Sequence, residues 1–199
     1  MTRGWPVTLR ADGVALRPIQ RRDRRAWFEI RRRNADWLRP WDATPPDPRQ
    51  PVPSFAAMVT GLRREAREGR ALPFVVTCDG RLVGQVTVGS IVYGSQCGAH
   101  VGYWIDQAYA GRGIIPTAVA LATDHVFAEL GLHRMEIAMR PENAPSRRVA
   151  EKLGFRYEGL RVRFLHIDGD WRDHLVYALC SDEIPEGVLA RWQTTRAHR

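Results

Sequence analysis

A glycine-rich turn between a buried strand and a helix is the feature that most constrains what this chain can fold into. Residues 103–105, Tyr-Trp-Ile, are an aromatic and β-branched run typical of a strand. A short polar turn and then residues 111–113, Gly-Arg-Gly, follow them. From Ile114 onward the apolar residues recur at helical spacing, at Val119, Ala122, Val126 and Leu130. The sequence therefore predicts a strand, a tight turn and a helix in that order.

This turn has the properties of an anion site. Its two glycines let the backbone approach a ligand, and the first amides of the helix have no partner of their own. The helix dipole adds to them, Arg112 can supply a direct charge, and Pro116 fits the first helical turn. Ile114 and Ile115 stand where a P-loop has lysine and serine or threonine. The turn thus predicts a phosphate or pyrophosphate site of another kind, with a ligand-free structural turn as the alternative.

The elements that follow carry a second set of motifs. A strand is predicted at 133–139, after which Asn143 and Ser146 open a short helix and Leu-Gly-Phe at 153–155 closes it. In this order the motifs resemble the GNAT acetyltransferases. The nearer resemblance is to their RimJ/RimL branch of ribosomal-protein N-terminal alanine acetyltransferases, and it spans the chain from Val14 to Leu179.

The resemblance implies an α/β fold of the GNAT (acyl-CoA N-acyltransferase) type. That fold is a mixed, mostly antiparallel sheet of six to seven strands flanked by about four helices. We expect a single domain over 1–199, with its core at about 14–180 and a C-terminal helix at about 185–193. A length of 199 residues suits one domain.

The resemblance also implies acetyl-CoA as the cofactor. The backbone of Trp104 and Ile105 would pair with the pantetheine arm, and the turn and first helical residues would hold the pyrophosphate. This sequence departs from the family pattern, because Ala110 and Ile115 replace the usual glutamine or arginine and the final glycine or alanine. The expected pyrophosphate residues are Gly111, Arg112, Gly113, Ile114, Ile115, Pro116 and Thr117.

The resemblance implies Asn143 and Ser146 as catalytic candidates. Glu136 is a third candidate, because it lies two residues before Ala138, where some N-terminal acetyltransferases have their base, and so on the same face of the strand. Asn143 and Ser146 would lie at the pantetheine arm, although asparagine is also a favoured helix N-cap. Ala150 stands where many relatives have a tyrosine acid, so Ser146 takes the place of that acid, as in RimL-like proteins. Glu136 and His100 are open candidates for a base, and either can instead be a structural side chain.

The acceptor side is predicted from the loop between the first two helices. Trp37 and Trp41 lie in this loop, which forms one wall of the acceptor groove in GNAT proteins, and Tyr103 is placed with them. The alternative is that both tryptophans only pack the loop on the core. Without a clear base, an N-terminal amine with a pKa of about 8 suits the site better than a lysine with a pKa of about 10.4.

Composition restricts the class of protein. No apolar stretch approaches the roughly 18 residues of a membrane span, and the N-terminus lacks an apolar signal core. The three cysteines are scattered without metal spacing, so we expect a cytoplasmic protein with reduced thiols and no metal. The net charge of +8 fits either contact with ribosomal RNA or an arginine-rich genome, because Lys152 is the only lysine.

We therefore expect transfer of an acetyl group from acetyl-CoA to a primary amine, most simply the N-terminal α-amino group of a protein such as a ribosomal protein. One alternative is acetylation of a small amine, such as an aminoglycoside or a polyamine. Another is a non-catalytic ribosome- or RNA-binding module on the same fold. The sequence leaves the acceptor, the base and the oligomeric state open.

Overall fold

Eight apolar or alternating stretches form strands among residues 5–197, which are the residues that the computed structural model describes. They join one sheet in which only the fifth and sixth strands pair in parallel. The strands are β1 Leu9–Ala11, β2 Val14–Pro18, β3 Leu72–Cys78, β4 Arg81–Val92, β5 Gly98–Ile105, β6 Arg134–Met139, β7 Arg156–Ile167 and β8 Asp170–Cys180. Their order across the sheet is β1-β2-β3-β4-β5-β6-β8-β7.

The helices lie on both faces of this sheet. They are α1 Arg24–Arg33, α2 Ala35–Leu38, α3 Phe55–Arg67, α4 Ile114–Ala128, α5 Ala144–Lys152 and α6 Val188–Ala197. Because side chains alternate along a strand, Phe74 and Val76 of β3 enter the main core with α4, whereas Val75 packs with Phe55 and Val59 of α3. The continuous apolar run of α4 is buried on nearly all sides, as expected of a central helix.

The α/β class and the mostly antiparallel sheet are confirmed, and both layers are larger than expected. The resemblance implies six to seven strands and about four helices, whereas the described residues form eight strands and six α-helices. One added strand, β1, precedes the expected core of 14–180 and pairs with β2 across a turn at Asp12. One added helix, α2, is a single turn that follows α1 after Asn34.

The last helix begins and ends later than its expected range of 185–193. Its start is set from α4, because the Asp124 carboxylate accepts hydrogen bonds from the amides of Val188 at 2.7 Å and Leu189 at 3.0 Å. Gly187, with φ of 90°, makes the turn into it. Residues 1–4 and 198–199 of the expected domain lie outside the described part. Within 5–197, no helix has the length and apolar character needed to cross a bilayer.

β5 and β6 separate after a short contact, and this separation opens a gap in the sheet. They pair only from Gly98 opposite Arg134 to His100 opposite Glu136. Beyond that point β5 continues on β4 as far as Ile105, and β6 continues on β8. One backbone edge of residues 101–105 therefore faces the gap.

Candidate active site

A cavity of about 620 Å³ occupies this gap and reaches both faces of the sheet. It brings together the ends of β4 and β5, the glycine-rich turn, the start of α5 and the loop after α2. Its size is typical of a small-molecule site. Of the residues expected at the site, those on the cavity wall are Trp37, Trp41, Tyr103, Trp104, Ile105, Gly111, Gly113, Ile114, Ile115, Pro116, Asn143 and Ser146.

The glycine-rich turn has the geometry that an anion needs. Gly111 and Gly113 both have φ of 78°, a left-handed conformation that other residues avoid, and Gly113 is the N-cap of α4. No atom lies within 4 Å of the place where a side chain on Gly111 would begin. The first amides of α4 therefore reach the cavity without an intervening side chain, so the turn fits a pyrophosphate.

Arg112 and Thr117 are the two residues of this segment that do not line the cavity. The Arg112 guanidinium lies 5.1 Å from the centroid of the Tyr109 ring, so its charge is held on that ring. The Thr117 hydroxyl donates to the Gly113 carbonyl at 3.0 Å and accepts from the Trp192 indole at 2.9 Å. Arg112 therefore offers no direct charge in this geometry, and Thr117 fixes the turn from behind.

Asn143 and Ser146 act together at the start of α5. The Asn143 side-chain oxygen accepts from the Ser146 amide at 3.1 Å, so the N-cap role is present. This cap fixes the first turn of α5 at the cavity. Ser146 is only 8% exposed, and its hydroxyl lies 2.6 Å from the hydroxyl of Tyr103 on β5.

Tyr103 therefore lies on the α5 side of the sheet, away from the acceptor wall where the sequence analysis placed it. Alternation along β5 is the reason, since Tyr103 and Ile105 point toward α4 and α5 while Trp104 points toward α1. Burial raises the pKa of the Tyr103 phenol above its ordinary value, and the hydrogen bond with Ser146 opposes that shift. The phenol therefore keeps its proton at neutral pH and remains a hydrogen-bond donor.

The opposite end of the cavity is an aromatic pocket. Trp37, Trp41 and Trp104 line this pocket. Among the described residues, Asp42 is the one acidic residue on the cavity wall. The loop is held in place by Arg140, which donates to the Pro40 carbonyl at 2.9 Å and lies 5.6 Å from the Trp41 ring centroid. Both expected tryptophans thus form a wall of the cavity.

Asp42 is already paired within the protein. Its two oxygens accept from Arg31 at 3.1 and 2.5 Å, in a two-pronged ion pair. The Arg31 guanidinium in turn lies 5.6 Å from the Trp27 ring and 5.3 Å from the Trp104 ring. Arginine held between two aromatic rings keeps the carboxylate neutralised at the edge of the pocket.

Glu136 does not reach the cavity, which corrects its placement as a catalytic residue. Its carboxylate accepts from Arg134 at 2.9 Å and Arg161 at 2.8 Å and lies 2.7 Å from His100. Burial alone would raise the pKa of Glu136, but the hydrogen bonds from Arg134 and His100 outweigh burial and lower it. A carboxylate with these partners is a poor base, and His100 is committed to the same cluster.

The cavity wall also contains residues that the sequence analysis did not assign to it. Periodicity gives the face of an element that a residue occupies, but it does not give the element on the other side. Lys152, which stands next to the Leu-Gly-Phe motif and is the only lysine, offered the clearest sequence signal. The unassigned residues include Asp42, Gln85, Thr87, Tyr109, Arg148 and Lys152.

Comparison with known proteins agrees with this geometry. The profile of the acetyltransferase (GNAT) domain matches residues 14–156. The structure of Mycobacterium smegmatis RimJ in complex with CoA-disulfide superposes with a TM-score of 0.90 at 42% identity, covering 98% of this chain and 97% of that one.

Two curated relatives match along nearly their whole length. Probable N-acetyltransferase YjcK of Bacillus subtilis is 30% identical over 177 residues, which is 88% of this chain and 98% of YjcK. The ribosomal protein uS5 alanine N-acetyltransferase of Escherichia coli is 26% identical over 183 residues, 91% of this chain and 94% of that protein. The chain thus belongs to the GNAT family, and it is an acetyl-CoA-dependent N-acetyltransferase.

Proposed function

We propose that this enzyme acetylates the N-terminal α-amino group of a protein, such as a ribosomal protein. The observation that carries the proposal is the acceptor pocket, where three tryptophans surround a single carboxylate that Arg31 already neutralises. Similarity to RimJ and to the uS5 alanine enzyme supports it. Acetyl-CoA and newly made ribosomal proteins meet in the cytoplasm, and we place the reaction there.

The pocket favours an amine that is partly neutral in water. An α-amino group has a pKa of about 8, so about a tenth of it is neutral at pH 7, whereas a lysine amine near pKa 10.4 is almost entirely charged. A lysine or polyamine acceptor would need an acidic residue that binds the cation or removes its proton. Asp42 is the one acidic residue on the described part of the cavity wall, and its pairing with Arg31 leaves it no free negative charge for such a cation.

Acetyl-CoA supplies the activated acetyl group. Side chains of this protein would stabilise the negative charge that forms on the sulfur when its bond to the acetyl group breaks. We assign this role to the Ser146 hydroxyl, which can donate into the cavity while it accepts from Tyr103 at 2.6 Å. The raised pKa of Tyr103 keeps that donor protonated. The Asn143 cap holds Ser146 in position, and the proton of the acceptor amine leaves to solvent.

A comparison of three acceptors tests the proposal by the rate of thiol release. The first is a peptide with a free N-terminus and no lysine, the second its N-blocked counterpart with one lysine, and the third is spermidine. At pH 7 we expect kcat/KM for the peptide with the free N-terminus to exceed the values for the other two acceptors by about tenfold or more. The neutral fraction of an α-amino group exceeds that of a lysine amine by an even larger factor at this pH. A faster rate on the blocked lysine peptide or on spermidine would reverse the assignment.

A further inference from the structure

The last helix packs directly on the glycine-rich turn, although α6 lies beyond the residues that the GNAT profile matches. A side chain built on Gly113 would begin 3.3 Å from the Trp192 ring and 3.8 Å from the guanidinium carbon of Arg196. The Trp192 indole also donates to Thr117 at 2.9 Å. α6 is therefore part of the structure that surrounds the turn, and it places a cation there.

Three cations lie near this corner of the cavity, two on its wall and the third, Arg196, behind the glycine-rich turn on α6. Arg148 and Lys152 both line the cavity from α5, where their spacing of four residues puts them on one face of the helix. The Lys152 ammonium lies 5.9 Å from the centroid of the Trp192 ring, and the Arg196 guanidinium lies 5.6 Å from the same centroid. Trp192 itself is only 4% exposed, so the ring is a fixed support for both charges.

The charges of this corner are only partly balanced by acidic groups. Arg196 approaches Asp12 at 3.5 Å through one terminal nitrogen, which is a long contact for an ion pair. Arg148 and Lys152 stand beside the cavity, whereas the neighbouring Arg147 pairs with Glu151 on the outer face at 4.0 Å. The corner therefore suits a ligand group with more negative charge than the helix amides alone would hold.

The turn itself offers few donors for such a charge. Pro116 has no amide hydrogen, and Ala110 supplies no side-chain donor. The amides at the start of α4 suffice for a pyrophosphate, but coenzyme A carries a further phosphate on its ribose. We propose that Arg148, Lys152 and Arg196 form the binding site for this 3′-phosphate, and that they let the enzyme distinguish acetyl-CoA from its 3′-dephospho form.

Calorimetric titration of both ligands tests this assignment without relying on turnover. We expect wild-type enzyme to bind acetyl-CoA at least about tenfold more tightly than 3′-dephospho-acetyl-CoA, as loss of charge-assisted hydrogen bonds would give. The triple variant Arg148→Gln, Lys152→Met, Arg196→Gln should bind acetyl-CoA about as weakly as the dephospho ligand. Its affinity for the dephospho ligand should stay within about threefold of wild type, because these side chains would then have no phosphate partner.

Arg147→Gln is the matched control, because it removes one positive charge beside Arg148 without touching the cavity wall. It should keep the preference for acetyl-CoA, whereas Arg196→Gln alone should reduce that preference, because Arg196 supplies one of the three charges. Melting temperature and circular dichroism establish that each variant is folded. An equal loss of affinity for both ligands would assign the cations to the pyrophosphate and overturn the proposal, as would a variant that keeps the wild-type preference.

Discussion

At the scale of single residues, the site depends on a short chain of hydrogen bonds across the gap. The Asn143 side chain holds the Ser146 amide, and the Ser146 hydroxyl meets the Tyr103 hydroxyl at 2.6 Å. Ala150, at the position where many relatives have a tyrosine, is fully buried and has no polar group. Tyr103 on β5 thus brings a hydroxyl to Ser146, whereas in many relatives the tyrosine stands at the position of Ala150 on α5.

Replacement of Ser146 tests the first link. Ser146→Ala should lower kcat by roughly ten- to a hundredfold, toward the low end of what acid assistance provides, and leave the dissociation constant of acetyl-CoA within about threefold. Stopped-flow rates and calorimetry separate the two effects. If kcat stays near wild type while cofactor affinity drops, Ser146 is a binding residue. If only stability falls, by about 1 kcal/mol, the serine acts solely in the helix start.

Replacement of Tyr103 tests the second link. Tyr103→Phe should lower kcat by about tenfold, because Ser146 loses the donor that makes its own hydroxyl a stronger one. Since burial raises the Tyr103 pKa, the phenol stays protonated through pH 9, and the wild-type kcat should show no alkaline loss up to that pH. Tyr157→Phe, on the exposed strand β7, is the control. A tyrosine-dependent alkaline limb below pH 9 would contradict this role.

At the scale of elements, the sequence predicts most of the strands and helices but not their partners. The strand predicted at 133–139 is β6, which begins one residue later, and the short helix that Asn143 opens is α5. The Tyr103–Ser146 contact joins residues 43 positions apart, and the Trp192–Thr117 contact joins residues 75 apart. Periodicity contains no information on such distances, so it does not place Asp42, Arg148 or Lys152 on the cavity wall.

The glycine-rich turn makes a prediction at this scale. Gly113→Val should weaken acetyl-CoA binding at least about tenfold, because φ of 78° strains a branched residue and its side chain would press on Trp192 at 3.3 Å. Gly94→Ala is the control, because Gly94 has a similar φ of 76° and no atom within 4 Å but lies off the cavity wall, and it should leave the affinity unchanged. Unchanged affinity by calorimetry in a folded Gly113→Val enzyme would falsify the turn as the pyrophosphate site.

The ion-pair cluster on β6 and β7 makes a prediction about pH. Hydrogen bonds from Arg134 lower the pKa of Glu158, and those from Arg134 and His100 lower that of Glu136 against burial. A carboxylate whose pKa is lower in the folded than in the unfolded state stabilises the fold. This contribution is fully present above the unfolded-state pKa of about 4.3, and it is lost as the pH falls through the folded-state pKa.

Urea unfolding at successive pH values measures this contribution. The double variant Glu136→Gln, Glu158→Gln should be less stable than wild type at pH 7, and its free energy of unfolding should fall less steeply between about pH 5 and pH 2.5. Glu29→Gln, a substitution of an exposed residue on α1, should follow the wild-type curve. Parallel curves for the double variant and wild type would show that the cluster does not link folding to protonation.

At the scale of the whole molecule, the two proposed substrate sites lie on opposite faces of the sheet and meet at the gap. The glycine-rich turn and α5 approach from the face that packs on α4, and the acceptor pocket lies on the face that packs on α1. Because β5 and β6 part between them, the two sides meet in one cavity. This arrangement lets both substrates be present together, so no covalent carrier on the protein is required.

Direct transfer between the two bound substrates is the last prediction. Cys78, Cys97 and Cys180 are all outside the cavity wall, and the Cys97 thiol is directed to the Gly131 carbonyl at 3.5 Å. A variant with all three changed to serine should therefore keep kcat within about twofold, provided its melting temperature shows an intact fold. Initial rates at varied concentrations of both substrates should give intersecting lines. Parallel lines would indicate a covalent intermediate instead. So would wild-type protein that gains the mass of one acetyl group on mixing with acetyl-CoA alone and loses it when an acceptor is added.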